Sequence, residues 1–175
     1  MNIEVYDNFL PTEVFNPIKE FVFGGVMPWY YMDNSVKKGD GCPQFSHGLY
    51  GNSEPRSEVY EIVKPIFATL NPFAIHRVKF NATSRTTEIK EKPLHVDITG
   101  PSDSPEPPFE NVPDYNICVI YFNDNNGYTY FEDGQKVVSK ENRAVIFPGN
   151  FLHAGTSCTD ASLRVVLNID YSKWC

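Results

Sequence analysis

Leu163-Arg164-Val165-Val166-Leu167-Asn168-Ile169-Asp170 is the stretch that decides the architecture. Its odd positions are wholly apolar, whereas its even positions hold Arg164, Val166, Asn168 and Asp170. Side chains of a strand alternate between its two faces. The segment therefore predicts a strand with one face in a hydrophobic layer and the other, opened by an arginine, turned into a half-polar interior. Working back from it, strand-like runs of period two occur at 73–82, 93–98, 116–123, 127–132, 135–140, 143–147, 151–155 and 162–171. Turn signals separate them: Asp124-Asn125-Asn126-Gly127, Asp133-Gly134, Lys140-Glu141-Asn142 and Pro148-Gly149-Asn150.

The first 72 residues read differently. Ile3 to Asp7 alternates like a short strand. A helix is predicted from Pro11 or Thr12 to Phe23, closed by Gly24-Gly25. Pro17 opposes an uninterrupted helix there and offers a second start, with Asn16 as cap and Pro17 at the first helical position. Val59, Ile62, Val63, Ile66, Phe67 and Leu70 recur at helical spacing. Ser53 is read as the cap of that helix, Pro65 as a kink and Asn71-Pro72 as its stop. Many short strands with tight turns, following helices that can buttress a sheet, predict a mainly β, α+β chain built as a jelly roll or double-stranded β-helix. One domain is expected over 1–175, with 1–72 as helical support and 73–175 as the β core. Two stretches without period, 33–53 and the proline-rich 99–114 (TGPSDSPEPPFENVPD), are expected to be loops. Either folds over substrate or is simply solvated.

The 175 residues suffice for one real core, and 41% hydrophobic with 14% aromatic residues marks a globular chain. The net charge of −7 argues against nucleic acid or an anionic membrane as partner, although it leaves room for a local basic patch. No segment approaches the roughly 20 apolar residues needed to span a bilayer, and MNIEVYDNFLPTE is not a signal peptide. Cys42, Cys118, Cys158 and Cys175 form no CxxC pair and no zinc-finger spacing. A reducing cytoplasm is the expected compartment.

The chemistry lies in His95-Val96-Asp97 and in His153. A His-x-Asp pair on an extended strand presents both side chains on one face. An isolated pair of this kind is common in strands that bind nothing. What gives this one weight is His153, within Phe151-Leu152-His153-Ala154-Gly155 after the Pro148-Gly149 turn. Two imidazoles and one carboxylate cap one face of a metal ion and leave the other open, the facial triad of non-haem Fe(II) oxygenases. His47 and His76 have no carboxylate two positions on, and His76 alternates with apolar neighbours as a structural residue. Arg164, pointing inward, needs an anionic partner. Either a ligand carboxylate held bidentately or an internal aspartate supplies one. Tyr121 shares the parity of Ile117 and Val119, so its phenol either donates to the same carboxylate or packs as a core tyrosine.

HVD at 95–97, VIYFND at 119–124, GYTYFEDG at 127–134, RAVIFPGNFLHAG at 143–155 and LRVVLNIDY at 163–171 together resemble the Fe(II)/2-oxoglutarate-dependent dioxygenases, on their prolyl-4-hydroxylase-like branch and among small bacterial and phage oxygenases. The resemblance covers the C-terminal 100 residues well and the first 70 weakly. It implies that His95, Asp97 and His153 hold Fe(II). It further implies that Arg164 and Tyr121 take the far carboxylate of 2-oxoglutarate, that Thr129 lines the cosubstrate pocket, and that Asn81 stands where relatives often have a tyrosine. Asn126 replaces the first glycine of the family's strand motif. The implied reaction consumes O2 and 2-oxoglutarate, releases succinate and CO2, and hydroxylates a C–H bond of a peptide, protein or small-molecule substrate, with a prolyl residue as the family-weighted guess. Retention of Asp97 favours hydroxylation over halogenation. Two other readings compete: a cupin-type metalloenzyme acting without 2-oxoglutarate, and a non-catalytic β-sandwich binding module with incidental histidines.

Overall fold

The structure is a computed structural model that describes residues 2–97 and 115–174; the 99–114 loop, Ile98 and Cys175 lie outside the described residues. Its central element is β11 (Leu163–Ser172), paired antiparallel on one side with β5 (Ala74–Ser84) and on the other with β6 (Asn116–Tyr121). Beyond β6 lie β9 (Ala144–Pro148) and β1 (Glu4–Tyr6). Beyond β5 lie β3 (Gln44–Gly51), β2 (Tyr30–Met32) and the two-residue β4 (Glu54–Pro55), completing an eight-stranded sheet. A second sheet has the order β10 (His153–Gly155), β7 (Tyr128–Phe131), β8 (Lys136–Val138). The two antiparallel sheets form a double-stranded β-helix.

The alternation read from β11 organises both faces of the large sheet. Val165, Leu167, Ile169 and Tyr171 join Val78, Phe80 and Ala82 of β5 and Cys118 and Ile120 of β6 in one apolar layer. Helix α1 (Thr12–Phe23) covers that layer with Phe15, Ile18 and Val22, beside Val59, Tyr60 and Val63 of α2 (Val59–Val63) and Ile66 of α3 (Ile66–Leu70). On the opposite face, Ile117, Val119, Tyr121, Val145, Phe147 and Val166 meet Phe131, Val137 and Phe151. That second cluster fills one end of the space between the sheets and leaves the other end to polar side chains.

Local deviations have identifiable causes. Helix α1 starts at Thr12 and carries Pro17 inside it, because Phe15, Ile18 and Val22 anchor one face to the sheet despite the hydrogen bond that proline removes. The second predicted helix is broken into α2 and α3 at Pro65, and Asn71 ends it in the left-handed region at φ 47°. Ser53 is not its cap: Ser57 Oγ accepts from Val59 N at 3.2 Å, and Ser53 sits in the turn between β3 and β4. The 33–53 stretch is not all loop, since residues 44–51 form β3; its two glycines and the register shift between Gly48 and Tyr50 hide the alternation. The first 72 residues thus contribute four strands as well as helices. Nor do residues 93–97 form a regular strand. Pro93 has no N–H to give a ladder, and an isolated bridge, His95 to His153, ties this segment to β10, with Lys92 N donating to Gly155 O just before it.

Phe122 joins the layers: it is fully buried, stacked on Phe15 of α1 at 5.2 Å and edge-on to Phe80 of β5 at 5.3 Å. Phe122→Ala should lower unfolding stability by about 3–5 kcal/mol, read from chemical denaturation monitored by circular dichroism.

Candidate metal and anion site

His95 and His153 are brought together by backbone. His95 N donates to His153 O at 3.0 Å and His153 N donates to His95 O at 3.1 Å, an antiparallel pair whose side chains share one face. The rings lie 4.9 Å apart between centroids. Each Nδ1 faces a carbonyl two residues back, Pro93 O at 3.1 Å for His95 and Phe151 O at 3.2 Å for His153. Those contacts assign the proton to Nδ1 and leave the Nε2 lone pairs directed at Asp97, at 3.4 Å from Oδ1 and 3.8 Å from Oδ2 respectively. Burial depresses the His153 pKa to about 4, so its imidazole is neutral near pH 7. One ligand atom from each of the three residues fits within a mutual distance of 4.8 Å. Two imidazoles and a carboxylate converging on one point suit a divalent first-row cation.

Asp97 is steered from behind. Its side chain is only 6% exposed, and Arg77 Nη2 lies 2.7 Å from its Oδ2, while Arg77 Nε lies 2.7 Å from Asp170 Oδ2. Both are charge contacts without hydrogen-bond alignment, so Asp97 Oδ2 retains its acceptor capacity. The Arg77 charge outweighs desolvation and holds the Asp97 carboxyl well below the usual range; burial and the Asp97 charge push Asp170 up. Arg77 and Asp170 face each other in the β5–β11 register.

The opposite end of the same cavity, about 470 Å³ in volume, is closed by Arg164. Its side chain is buried and meets hydroxyls only: Nε donates to Ser139 Oγ at 2.9 Å and Nη2 to Thr129 Oγ1 at 3.1 Å. Among the described residues no carboxylate lies within 4.0 Å of it; Asp170, on the same face of β11, stands six residues on, roughly 20 Å along the strand, and pairs with Arg77. Burial accordingly pulls the Arg164 pKa down. Glycines make room for the guanidinium. A Cβ on Gly127 would lie 2.7 Å from Arg164 Cδ and from Ser157 O, and one on Gly155 would lie 3.1 Å from Nη1. Gly155 is two residues from His153 on β10, so guanidinium and imidazole are spaced by about 7 Å of strand.

Thr129 lines the cavity as expected. Tyr121 does not reach it directly. Its hydroxyl donates to Thr129 Oγ1 at 2.8 Å, and burial raises its pKa. Thr129 Oγ1 thus accepts from both Tyr121 and Arg164, which frees its own proton to point into the cavity. Asn81 lies on the cavity wall with its Oδ1 buried and, among the described residues, without a hydrogen-bond partner.

No protein-family model and no curated protein matches the sequence. Among solved structures, the chain is similar to an oxidoreductase of the 2OG-Fe(II) oxygenase family from Burkholderia pseudomallei (TM-score 0.62, 12% identity, covering 97% of this chain and 84% of that one). It is also similar to a prolyl hydroxylase from Trichoplax adhaerens in complex with a hypoxia inducible factor oxygen degradation domain peptide fragment (TM-score 0.59, 12% identity, 98% and 83% covered). A third likeness is to HygX from Streptomyces hygroscopicus with nickel and 2-oxoglutarate bound (TM-score 0.60, 8% identity, 98% and 82% covered). The fold is that of the 2OG-Fe(II) oxygenases.

Within this oxygenase fold, sequence reasoning missed Arg77, Lys79 and Lys92, all of which line the cavity, as does Asn168 on the inward face read from β11. The signal was available in β5. Val78, Phe80 and Ala82 are apolar and alternate with Arg77, Lys79, Asn81 and Thr83, mirroring β11. Lys92 carried no signal, because it sits beside a proline in an irregular segment.

A side-chain NMR titration of the metal-free protein should find His153 neutral across the physiological range, protonating with a midpoint near pH 4 rather than the ordinary value of about 6.5. Lowering the pH should therefore charge this imidazole only in the acid range; a midpoint above about 6 would contradict the burial described.

Proposed function

We propose that this chain is an Fe(II)- and 2-oxoglutarate-dependent dioxygenase that hydroxylates a C–H bond of its substrate. The observation that carries the reading is the combination of a convergent His95, Asp97 and His153 with a buried, carboxylate-free Arg164 in one cavity. The donor set fits Fe(II), and the guanidinium, one short strand segment away, fits the far carboxylate of a five-carbon dicarboxylate. Iron with 2-oxoglutarate and O2 would supply the oxidising chemistry.

The residues of this chain would bind, orient and shield. His95 and His153 present Nε2 to the metal because their Nδ1 protons are held by carbonyls. Arg77 fixes the carboxylate of Asp97. Arg164 and the Thr129 hydroxyl hold the cosubstrate's distal end, and Tyr121 acts as a positioning residue by orienting Thr129. Val119, Leu152 and Val166 on the cavity wall limit access of water to the reacting centre. The free thiols Cys42, Cys118 and Cys158 support a reducing compartment such as the cytoplasm. No helix among the described residues is long and apolar enough to cross a membrane.

A prolyl residue of a peptide is the substrate suggested by likeness to prolyl hydroxylases, and a small molecule is the other option. A cupin-type enzyme without 2-oxoglutarate is disfavoured by Arg164. Such an enzyme would leave a buried guanidinium without an anion at a desolvation cost of several kcal/mol.

Anaerobic addition of Fe(II) and 2-oxoglutarate should produce the weak visible metal-to-ligand charge-transfer band, and exposure to O2 should release succinate. Arg164→Ala should weaken 2-oxoglutarate binding by about 1.5–3 kcal/mol while metal binding persists. Asp97→Ala should lose the metal. An unchanged 2-oxoglutarate affinity in Arg164→Ala would refute the assignment.

A further inference from the structure

Among the described residues, the cavity wall carries more basic than acidic side chains. On β5 the side chains of Arg77, Lys79, Asn81 and Thr83 face inward in a row. Arg77 is engaged by Asp97 and Asp170. Lys79 is half-buried and, among the described residues, makes no hydrogen bond and has no carboxylate within 4.0 Å; its register partner across the sheet is Asn168, an amide. Lys92 is 8% exposed and donates from Nζ to Gln44 Oε1 at 2.7 Å and to Thr83 Oγ1 at 3.0 Å, both neutral acceptors. Three hydrogens on an ammonium allow one more bond, and the cavity is the open direction. Between the two lysines lies Asn81, and on the adjacent strand Asn168; each has a buried Oδ1 without a partner.

Among the described residues that line the cavity, Arg77, Lys79, Lys92 and Arg164 are basic and Asp97 is the one carboxylate, so a divalent metal and a doubly charged 2-oxoglutarate would leave the basic side chains in excess. An uncompensated charge in a semi-enclosed site is costly, and the mutual repulsion of Lys92 with Arg164 and Lys79 adds to the cost of burial; together they push the Lys92 pKa down to about 7. An incoming anion removes both penalties.

We propose that the substrate carries a carboxylate or phosphate group that ion-pairs with Lys79 and Lys92 on the cavity wall left free once Arg164 holds the cosubstrate. The proposal rests on the oxygenase reading, because it requires Arg164 to be occupied. Lysine suits this task, since its ammonium donates to a carboxylate or phosphate oxygen without the planar constraint of a guanidinium. The anionic group then anchors the substrate on the β5 wall, beside Arg77 and the Asp97 carboxylate, and holds its reacting C–H over the open face of the metal triad.

The test uses the full chain with stoichiometric Zn(II), a redox-inert stand-in for iron, and lysines labelled at Cε. Calorimetric titration with 2-oxoglutarate comes first and reads the oxygenase assignment by itself; no binding there refutes that assignment without touching the lysine measurement. Inorganic phosphate and acetate are then titrated at constant ionic strength, with and without saturating 2-oxoglutarate. The expected result is a saturable shift of the Lys79 and Lys92 signals in the presence of 2-oxoglutarate. Its affinity should fall about tenfold or more in Lys79→Gln and be retained in Lys79→Arg, with 2-oxoglutarate affinity unchanged to confirm folding. A stronger response to phosphate assigns a phosphorylated substrate, and one to acetate assigns a carboxylated one. No saturable shift with either anion overturns the proposal. So does a shift that disappears when 2-oxoglutarate is added, which would make these lysines part of the cosubstrate pocket.

Discussion

A guanidinium that leaves water loses several kcal/mol of solvation even after relaxation, and Arg164 is 3% exposed with only hydroxyls for company among the described residues. Much of the surrounding architecture makes sense as the accommodation of that charge. Gly127 and Gly155 give up their side chains where a Cβ would collide with it. Ser139 and Thr129 turn their oxygens towards it, and Tyr121 lies with its ring 5.5 Å from the guanidinium carbon. Asp170 shares the strand and the face but stands six residues on, roughly 20 Å along β11 and out of reach. Arg77, directly opposite Asp170 in the β5–β11 register, pairs with that carboxylate. The outcome is a charge held in readiness for a ligand.

The metal triad depends on a different device. Its histidines are far apart in sequence, and their convergence is enforced by one reciprocal backbone bridge at the end of a segment interrupted by Pro93. A regular strand there would have bound residues 91–95 along β10 at every step. The interruption leaves Leu94 exposed and gives Lys92 the freedom to turn inward to Gln44 and Thr83. Irregularity thus contributes a cavity cation that a continuous ladder would have directed by alternation alone.

The period-two pattern made the core of the fold legible. Apolar odd positions in 163–169 place β11 between a helix-covered layer and a polar interior, and the turn signals at 124–127, 133–134 and 148–150 fall between β6 and β7, β7 and β8, and β9 and β10. Less regular backbone was less legible. Strand β3 hides behind Gly48, Gly51 and a register shift, and Pro65 divides one amphipathic pattern into two five-residue helices. At the site, His95, Asp97, His153 and Arg164 could be read because their residue types are distinctive at their spacing. Arg77 and Asp170 could not be paired from sequence, since their contact depends on which residues the β5–β11 register sets opposite one another. The indirect role of Tyr121 follows from a 2.8 Å hydroxyl contact with Thr129 that no pattern encodes.

Overall composition misleads about this cavity. A net charge of −7 describes the molecule seen from a distance, where surface charges are screened within about 10 Å in ordinary salt. Among the described residues the cavity reverses that balance, because Arg77, Lys79, Lys92 and Arg164 line it and its one carboxylate, Asp97, is already paired with Arg77. Field lines in such a cleft are focused rather than screened. An acidic exterior around a cationic interior rejects polyanions too large to enter and concentrates small anions that fit. That selectivity by size and sign is the property a dicarboxylate cosubstrate requires, and the same physics extends to any anionic group that reaches the lysines of β5 and its flanking segment.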